Sequence, residues 1–261
     1  MLLLSSFKSF KTLFFILLFT ILSGCSTTAN IQKEDVDPKD PFENINREIW
    51  TFNWDYLDKY VAKPASEMYV DYTPTLLREG VYNMVLNLNE PSTIINNVLQ
   101  LKFSDAAKTT GRFVLNTTVG LLGFFDPASH VGWQRKEEEF GEVLGHYGVG
   151  DGAYLMLPAL GPSSVREEVG DYIDKLYWPL AILDFWPNVA RLTILGLEQR
   201  AQLTEQESLI TESIDPYTFV KNAYFQNMQF KVYDGNPPMD ENPEDDAELE
   251  SFLDEIDDEE Y

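Results

Sequence analysis

The chain has 261 residues and carries 43 Asp and Glu against 19 Lys and Arg, a formal net charge of −24. A phosphate backbone repels a surface of that sign, so nucleic acid is excluded as a partner. Cys25 is the single cysteine, which rules out any intramolecular disulfide.

Residues 1–24 read as an export signal. Lys8 and Lys11 form a positive start, no acid precedes Cys25, and Leu13 to Leu22 is an apolar run too short to span a bilayer. The run ends in Leu22-Ser23-Gly24-Cys25, the small-residue pattern that a lipoprotein signal peptidase cuts. Cys25 is therefore the expected lipid-attachment site, carrying acyl chains such as palmitate, each buried methylene of which contributes about 0.8 kcal/mol to anchoring. Ser26 follows where an Asp would favour inner-membrane retention, so the expected address is the outer membrane. Residues 25–39 are polar and read as a tether.

Helix signals begin at Asp40-Pro41, which has the form of an N-cap followed by proline. Phe42, Ile45, Ile49, Phe52 and Tyr56 recur at helical spacing and predict a helix to about Tyr60. Trp50, Trp54, Leu57 and Val61 add a second apolar stripe, which implies burial on two sides or contact with lipid. Thr73-Pro74 opens a helix through Leu88, and Pro91 opens another with Ile94, Ile95, Val98 and Leu99 on its apolar side. Ser104 is read as the cap of a helix reaching about Thr118. Ser164 with Glu167 has capping-box spacing. Pro179 and Pro187 are read as interrupting an aromatic stretch of Tyr177, Trp178, Phe185 and Trp186. Arg191 to Gln202 is helical, and Asp215-Pro216 caps a last helix through Lys231. Strand-like alternation is scarce, so the expected fold is mostly α.

Phe113 to Phe125 is thirteen residues without a charge, bracketed by Arg112 and Asp126, with Gly120 and Gly123 inside it. Three readings compete: a core hairpin, a membrane-dipping loop, or a mobile gate hinged at the glycines. The run Gly145 to Gly152 is read as a tight loop, because no strand precedes it and no P-loop lysine follows. Residues 234–261 hold 14 of the acids and no Lys or Arg, and read as a disordered tail. No catalytic constellation stands out: there is no G-x-S-x-G motif, and His130 and His146 match no common zinc spacing. No enzyme activity, metal or cofactor is expected.

Several stretches, in this order, resemble the MlaA/VacJ family of outer-membrane lipoproteins across about 40–233. They are Asp40-Pro41-Phe42-Glu43-Asn44-Ile45-Asn46-Arg47, Asn87-Leu88-Asn89-Glu90-Pro91, Arg112 to Gly120, Glu139-Phe140-Gly141, Leu144 to Gly150, Leu157-Pro158, Gly161-Pro162-Ser163, Arg200-Ala201, Asp215-Pro216-Tyr217 and Ala223-Tyr224-Phe225. The resemblance implies a ring-like bundle of amphipathic helices in one membrane leaflet, with a hydrophobic hairpin and a central amphipathic channel. It also implies a function: removing mislocalised phospholipid from the outer leaflet and passing it to a periplasmic, MlaC-like phospholipid carrier, in association with trimeric porin. The address it implies is the periplasmic side of the outer membrane, held by the lipid anchor. Phe113, Leu115, Val119, Gly120, Leu121, Leu122, Gly123, Phe124 and Phe125 would then form the gate hairpin. Phe42, Asn44, Ile45 and Asn46 would contribute to the ring and to control of its opening. The other reading is a structural or surface-exposed lipoprotein without lipid transport.

Overall fold

The computed structural model describes residues 37–238. The expected export signal, Cys25, most of the tether and all but the start of the acidic tail lie outside them. Contacts divide the chain at Asp37, and the helical body is the unit that begins at Pro38.

The described residues are mostly helical. Helix α1 (Glu43–Thr51) continues into π-helical turns (Phe52–Ala62) and then into α2 (Lys63–Tyr72). The helix expected to end near Tyr60 thus runs on to Tyr72. Lys63 donates to the carbonyl of Asp58, five residues back, so the ladder is already in π register where Pro64 enters without an N–H. Next come α3 (Thr75–Asn87), α4 (Glu90–Leu99), α5 (Phe103–Thr118), α6 (Pro127–His130) and α7 (Phe140–His146). A two-stranded antiparallel hairpin succeeds them, β1 (Tyr154–Leu157) with β2 (Gly161–Ser164), registered Tyr154 to Ser164 and Leu157 to Gly161. The chain ends in α8 (Val165–Asp174), α9 (Phe185–Leu203), α10 (Glu207–Thr211) and α11 (Pro216–Val232).

Two caps stand as expected: Ser164 accepts from the Glu167 amide, and Asp215 from the Thr218 amide. Two do not. Phe42 is the N-cap of α1 without a side-chain bond, because Asp40 is drawn into the interior. Helix α5 begins at Phe103 after Lys102, so Ser104 already lies in the first turn. Pro187 interrupts nothing, since it sits in the first turn of α9, where backbone N–H groups need no helical acceptor.

Burial is inverted relative to a helical bundle that folds in water. Among the described residues, ten apolar side chains are buried against twenty-two polar or charged ones. On α4 the buried face is Glu90, Ser92, Thr93, Asn96 and Asn97, while Ile95, Val98 and Leu99 of its apolar stripe are exposed. A buried polar group costs free energy unless it is hydrogen-bonded, and the side-chain amides of Asn96, Asn97 and Gln100 each donate within this interior, to Glu138 and Asp174, to Thr93 and to Glu138. A small apolar core remains where β1 meets α11: Tyr154, Met156, Tyr217, Tyr224 and Met228, with Ile49, Trp50 and Phe225 against them. The rings of Tyr154 and Tyr224 meet edge to face at 5.7 Å. No helix among the described residues is long and apolar enough to cross a membrane.

Candidate functional site

A cavity of about 580 Å³ opens between the π-helical turns, the β-hairpin, α9, α10 and α11. That volume falls within the range of small-molecule sites. Its wall is largely apolar: Trp50, Trp54, Leu57, Leu203, Ile210 and Val220 contribute to it. Trp50 and Trp54 stack with ring centroids 5.2 Å apart, because i and i+4 lie on one helix face. Charge enters at one place. Arg200 on α9 binds Asp58 on the opposite wall and, at 2.9 Å, Glu207 at the start of α10. Lys63 also binds Glu207, at 2.7 Å, and the two cations bring that carboxyl below its ordinary range. The cavity therefore offers an apolar body and a fixed polar edge, the pattern that suits an amphipathic guest.

Asn46 ties this wall to the β-hairpin. It is 2% exposed, and its amide donates to Asp40 at 2.8 Å and to the Tyr154 carbonyl at 3.1 Å. Its oxygen accepts the Met156 N–H at 3.0 Å. Asp40 also accepts from Tyr217 and Lys221. Phe42, Asn44 and Ile45 are exposed and point away from this network, outside the cavity wall.

The charge-free segment is not one uniform hairpin. Phe113 to Thr118 complete α5, and Val119 to Phe125 form a tight turn back to Asp126. Leu121, Leu122 and Gly123 are consecutive left-handed residues, with φ of 55°, 60° and 92°. Gly120 and Gly123 are buried, whereas Val119, Leu121, Leu122 and Phe125 are exposed; Phe113, Leu115 and Phe124 are half-buried. A Cβ on Gly120 would lie 2.4 Å from the Phe125 carbonyl oxygen, so close backbone approach requires glycine there. The base of the turn is a polar knot. Arg112, 1% exposed, donates to Asp126 at 3.0 Å, to Ser129 at 3.2 Å and to the Trp133 carbonyl. Burial pushes the Asp126 carboxyl up, but bonds from Ser129, Arg112 and Asn116 outweigh it and bring it down to about 2.

A third cluster joins α7, α8 and α11. The carboxylates of Glu139, Glu167 and Asp171 come within 4.8 Å of one another, the one grouping with metal-ligand spacing among the described residues. Lys231 supplies positive charge there, 2.8 Å from Glu139 and 3.6 Å from Glu142. Burial pushes Glu142 up to about 9; Lys231 opposes the rise, and Glu139 and Glu138 add to it. The same burial lifts Glu167 to about 8.

A family model described as MlaA lipoprotein matches residues 38–231. The chain belongs to the MlaA lipoprotein family. The intermembrane phospholipid transport system lipoproteins MlaA of Shigella flexneri and of Escherichia coli strain K12 are each 38% identical to it over 227 residues, 86% of this chain and 89% of theirs. The MlaA of Haemophilus influenzae is 34% identical over 234 residues, 86% of this chain and 92% of its own. A solved structure described as the structural basis for maintenance of bacterial outer membrane lipid asymmetry aligns with a TM-score of 0.71 and 39% identity, covering 74% of this chain and 98% of that one. The Asn46 network, the hairpin and the whole cavity wall lie inside the stretch matched to the MlaA model. The family motifs pointed to Asn46, and the charge-free run Phe113 to Phe125 pointed to the hairpin. Sequence reasoning missed Asp58, a charged residue inside an aromatic helix whose partner lies 142 positions away.

Proposed function

We propose that this protein is an outer-membrane lipoprotein that withdraws mislocalised phospholipid from the outer leaflet. It passes the lipid to a periplasmic carrier, which keeps the membrane asymmetric. The observation that carries the reading is the inverted burial: a hydrogen-bonded polar interior under an apolar exterior. Large exposed apolar surface marks an interaction site, and its spread over many helices suits hydrocarbon better than one protein patch. Helices too short and too polar to cross the bilayer suit a body seated in one leaflet, with acyl chains on Cys25 as a tether.

The physical task is to move a charged headgroup past hydrocarbon. A headgroup stripped of water pays a large desolvation cost, and hydrogen-bonding walls lower it. The polar interior serves the headgroup, while the apolar cavity between the Trp50–Trp54 pair and α11 accommodates acyl chain. The turn at Val119–Phe125, held against the end of α3, serves as the movable element of the passage. The chemistry is binding and release, with no covalent step. Trimeric porin is the proposed neighbour in the membrane, and an MlaC-like carrier the acceptor on the periplasmic side.

The test is genetic. Deletion should raise phospholipid in the outer leaflet and sensitise cells to detergent, and the wild-type gene should reverse both. Normal outer-leaflet composition in the deletion strain, with redundant systems also removed, would sink the reading. The alternative of a surface-exposed structural lipoprotein requires the described body to be protease-accessible on intact cells.

A further inference from the structure

Three polar side chains at the junction of α3 and α4 reach three separate parts of the fold. Asn89 accepts from Arg191 of α9 at 3.0 Å. Glu90 meets Arg112 and Arg135, at 3.4 and 3.0 Å. Asn87, 4% exposed, reaches the hairpin, donating to the Thr117 hydroxyl at 2.9 Å and to the Leu122 carbonyl at 3.5 Å. Gly123 packs against it so closely that a Cβ there would lie 2.5 Å from the Asn87 Cβ.

One of the residues that Asn87 touches, Leu122, is strained, and its neighbour Leu121 shares the strain. Leu121 and Leu122 adopt left-handed backbone that side-chain-bearing residues rarely occupy. Both leucines are 64% exposed, so the packing of their own side chains does not hold them there. Backbone bonds from Leu122 to Thr117 and from Gly123 to Asn116 close the turn. Two contacts fasten this turn to α3: the Phe124 ring packs on Gly80, where a Cβ would lie 2.3 Å from it, and Asn87 supplies the side-chain hydrogen bonds. The α3–α4 turn is itself fastened to α9, a wall of the cavity.

We propose that Asn87 is a positioning residue for the hairpin: its amide pins the strained 121–123 tip against the end of α3, and loss of that amide frees the tip. The proposal rests on the reading of the hairpin as the moving part of a lipid passage. A single amide holding one hydroxyl and one long carbonyl bond suits a reversible catch, because it sets the resting position without fixing it permanently.

Amide hydrogen exchange on the full-length protein in detergent micelles tests it. In Asn87→Ala, the amides of Leu122, Gly123 and Phe125 should exchange about tenfold faster, the amount expected for one lost hydrogen bond, with the helical amides of α4 unchanged. The near-isosteric Asn87→Asp, which keeps the packing against Gly123 and removes the donor, should do the same. Leu122→Gly in the Asn87→Ala background should restore much of the protection, because glycine adopts φ near 60° without strain. Asn97→Ala, at a fully buried site on α4 that bonds to the Thr93 carbonyl, should leave hairpin exchange at the wild-type level. Wild-type exchange at residues 122–125 in both Asn87 variants overturns the proposal, as does equal acceleration throughout α4. Surface phospholipid in cells carrying the same variants separates the two readings. Faster hairpin exchange with normal surface lipid upholds Asn87 as the catch and removes the hairpin from lipid passage. Unchanged exchange removes the catch and leaves the lipid reading standing.

Discussion

Arg200 and Asp58 form a two-point ion pair across the cavity, the guanidinium Nε on one carboxylate oxygen and Nη2 on the other at 3.0 Å. The two side chains are 6% and 15% exposed. Removing one partner of a buried pair strands the other, at a cost of about 3–5 kcal/mol. Arg200→Ala should therefore destabilise the protein strongly, and Arg200→Lys should recover only part of the loss, because an ammonium cannot match both oxygens. Thermal unfolding in detergent checks both; a melting temperature for Arg200→Ala within a degree of wild type would contradict the role given to the pair.

Asn46 uses its whole carboxamide, with two bonds given and one received. Asn46→Ala leaves the Met156 N–H and the Tyr154 carbonyl without their buried partner, costing about 1–3 kcal/mol. The loss should be local, seen as faster exchange at Tyr154–Met156 and the start of α1, with α4 and α5 unaffected.

Much of the fold was legible because its signals are local. Asp215-Pro216 and Ser164-x-x-Glu167 fix helix starts through bonds within three residues, and both stand. The β-hairpin was not legible: Tyr154–Leu157 is uniformly apolar, and β2 opens on Gly161-Pro162, so neither strand alternates. Asp40 looked like a cap because its long-range partners, Tyr217 and Lys221, lie some 180 positions away. The deepest gap concerns the medium. Helical periodicity places Ile95, Val98 and Leu99 on one stripe, but a period identifies a face without saying whether protein or lipid covers it.

Glu142 gives a pH signature. Its folded pKa is raised above the unfolded value, so the native state holds its proton more tightly. The stability it contributes is fully present below the ordinary carboxyl range near 4.5 and is lost as pH rises through about 9. Glu142→Gln removes that titration. Its melting temperature should exceed wild type at pH 8, with the difference shrinking toward pH 4.5; a constant difference across that range would show that Glu142 does not titrate as described.

The exposed aromatic pair at the start of α9 tests leaflet seating. Phe185 and Trp186 are 70% and 75% exposed, and rings of this kind favour the bilayer interface. In a Cys25→Ser background, which removes the proposed acyl anchor, Trp186→Glu should lower partitioning into phospholipid vesicles by about tenfold, the scale of one buried aromatic side chain. Stability in detergent should change by no more than about 0.5 kcal/mol, as for other surface substitutions. Unchanged partitioning would place this edge of α9 away from lipid.

In the proposed function, the cavity beside Trp50 and Trp54 takes the acyl chain of a lipid leaving the outer leaflet. Gly196 lies on its wall, and a Cβ there meets nothing within 4 Å, so a large side chain can enter the space without displacing backbone. The most direct measurement is outer-leaflet phospholipid in deletion cells complemented with Gly196→Trp at normal protein abundance. Surface phospholipid raised to the level of the uncomplemented deletion is the expected result. Full restoration to the wild-type level by this blocked variant would contradict the account.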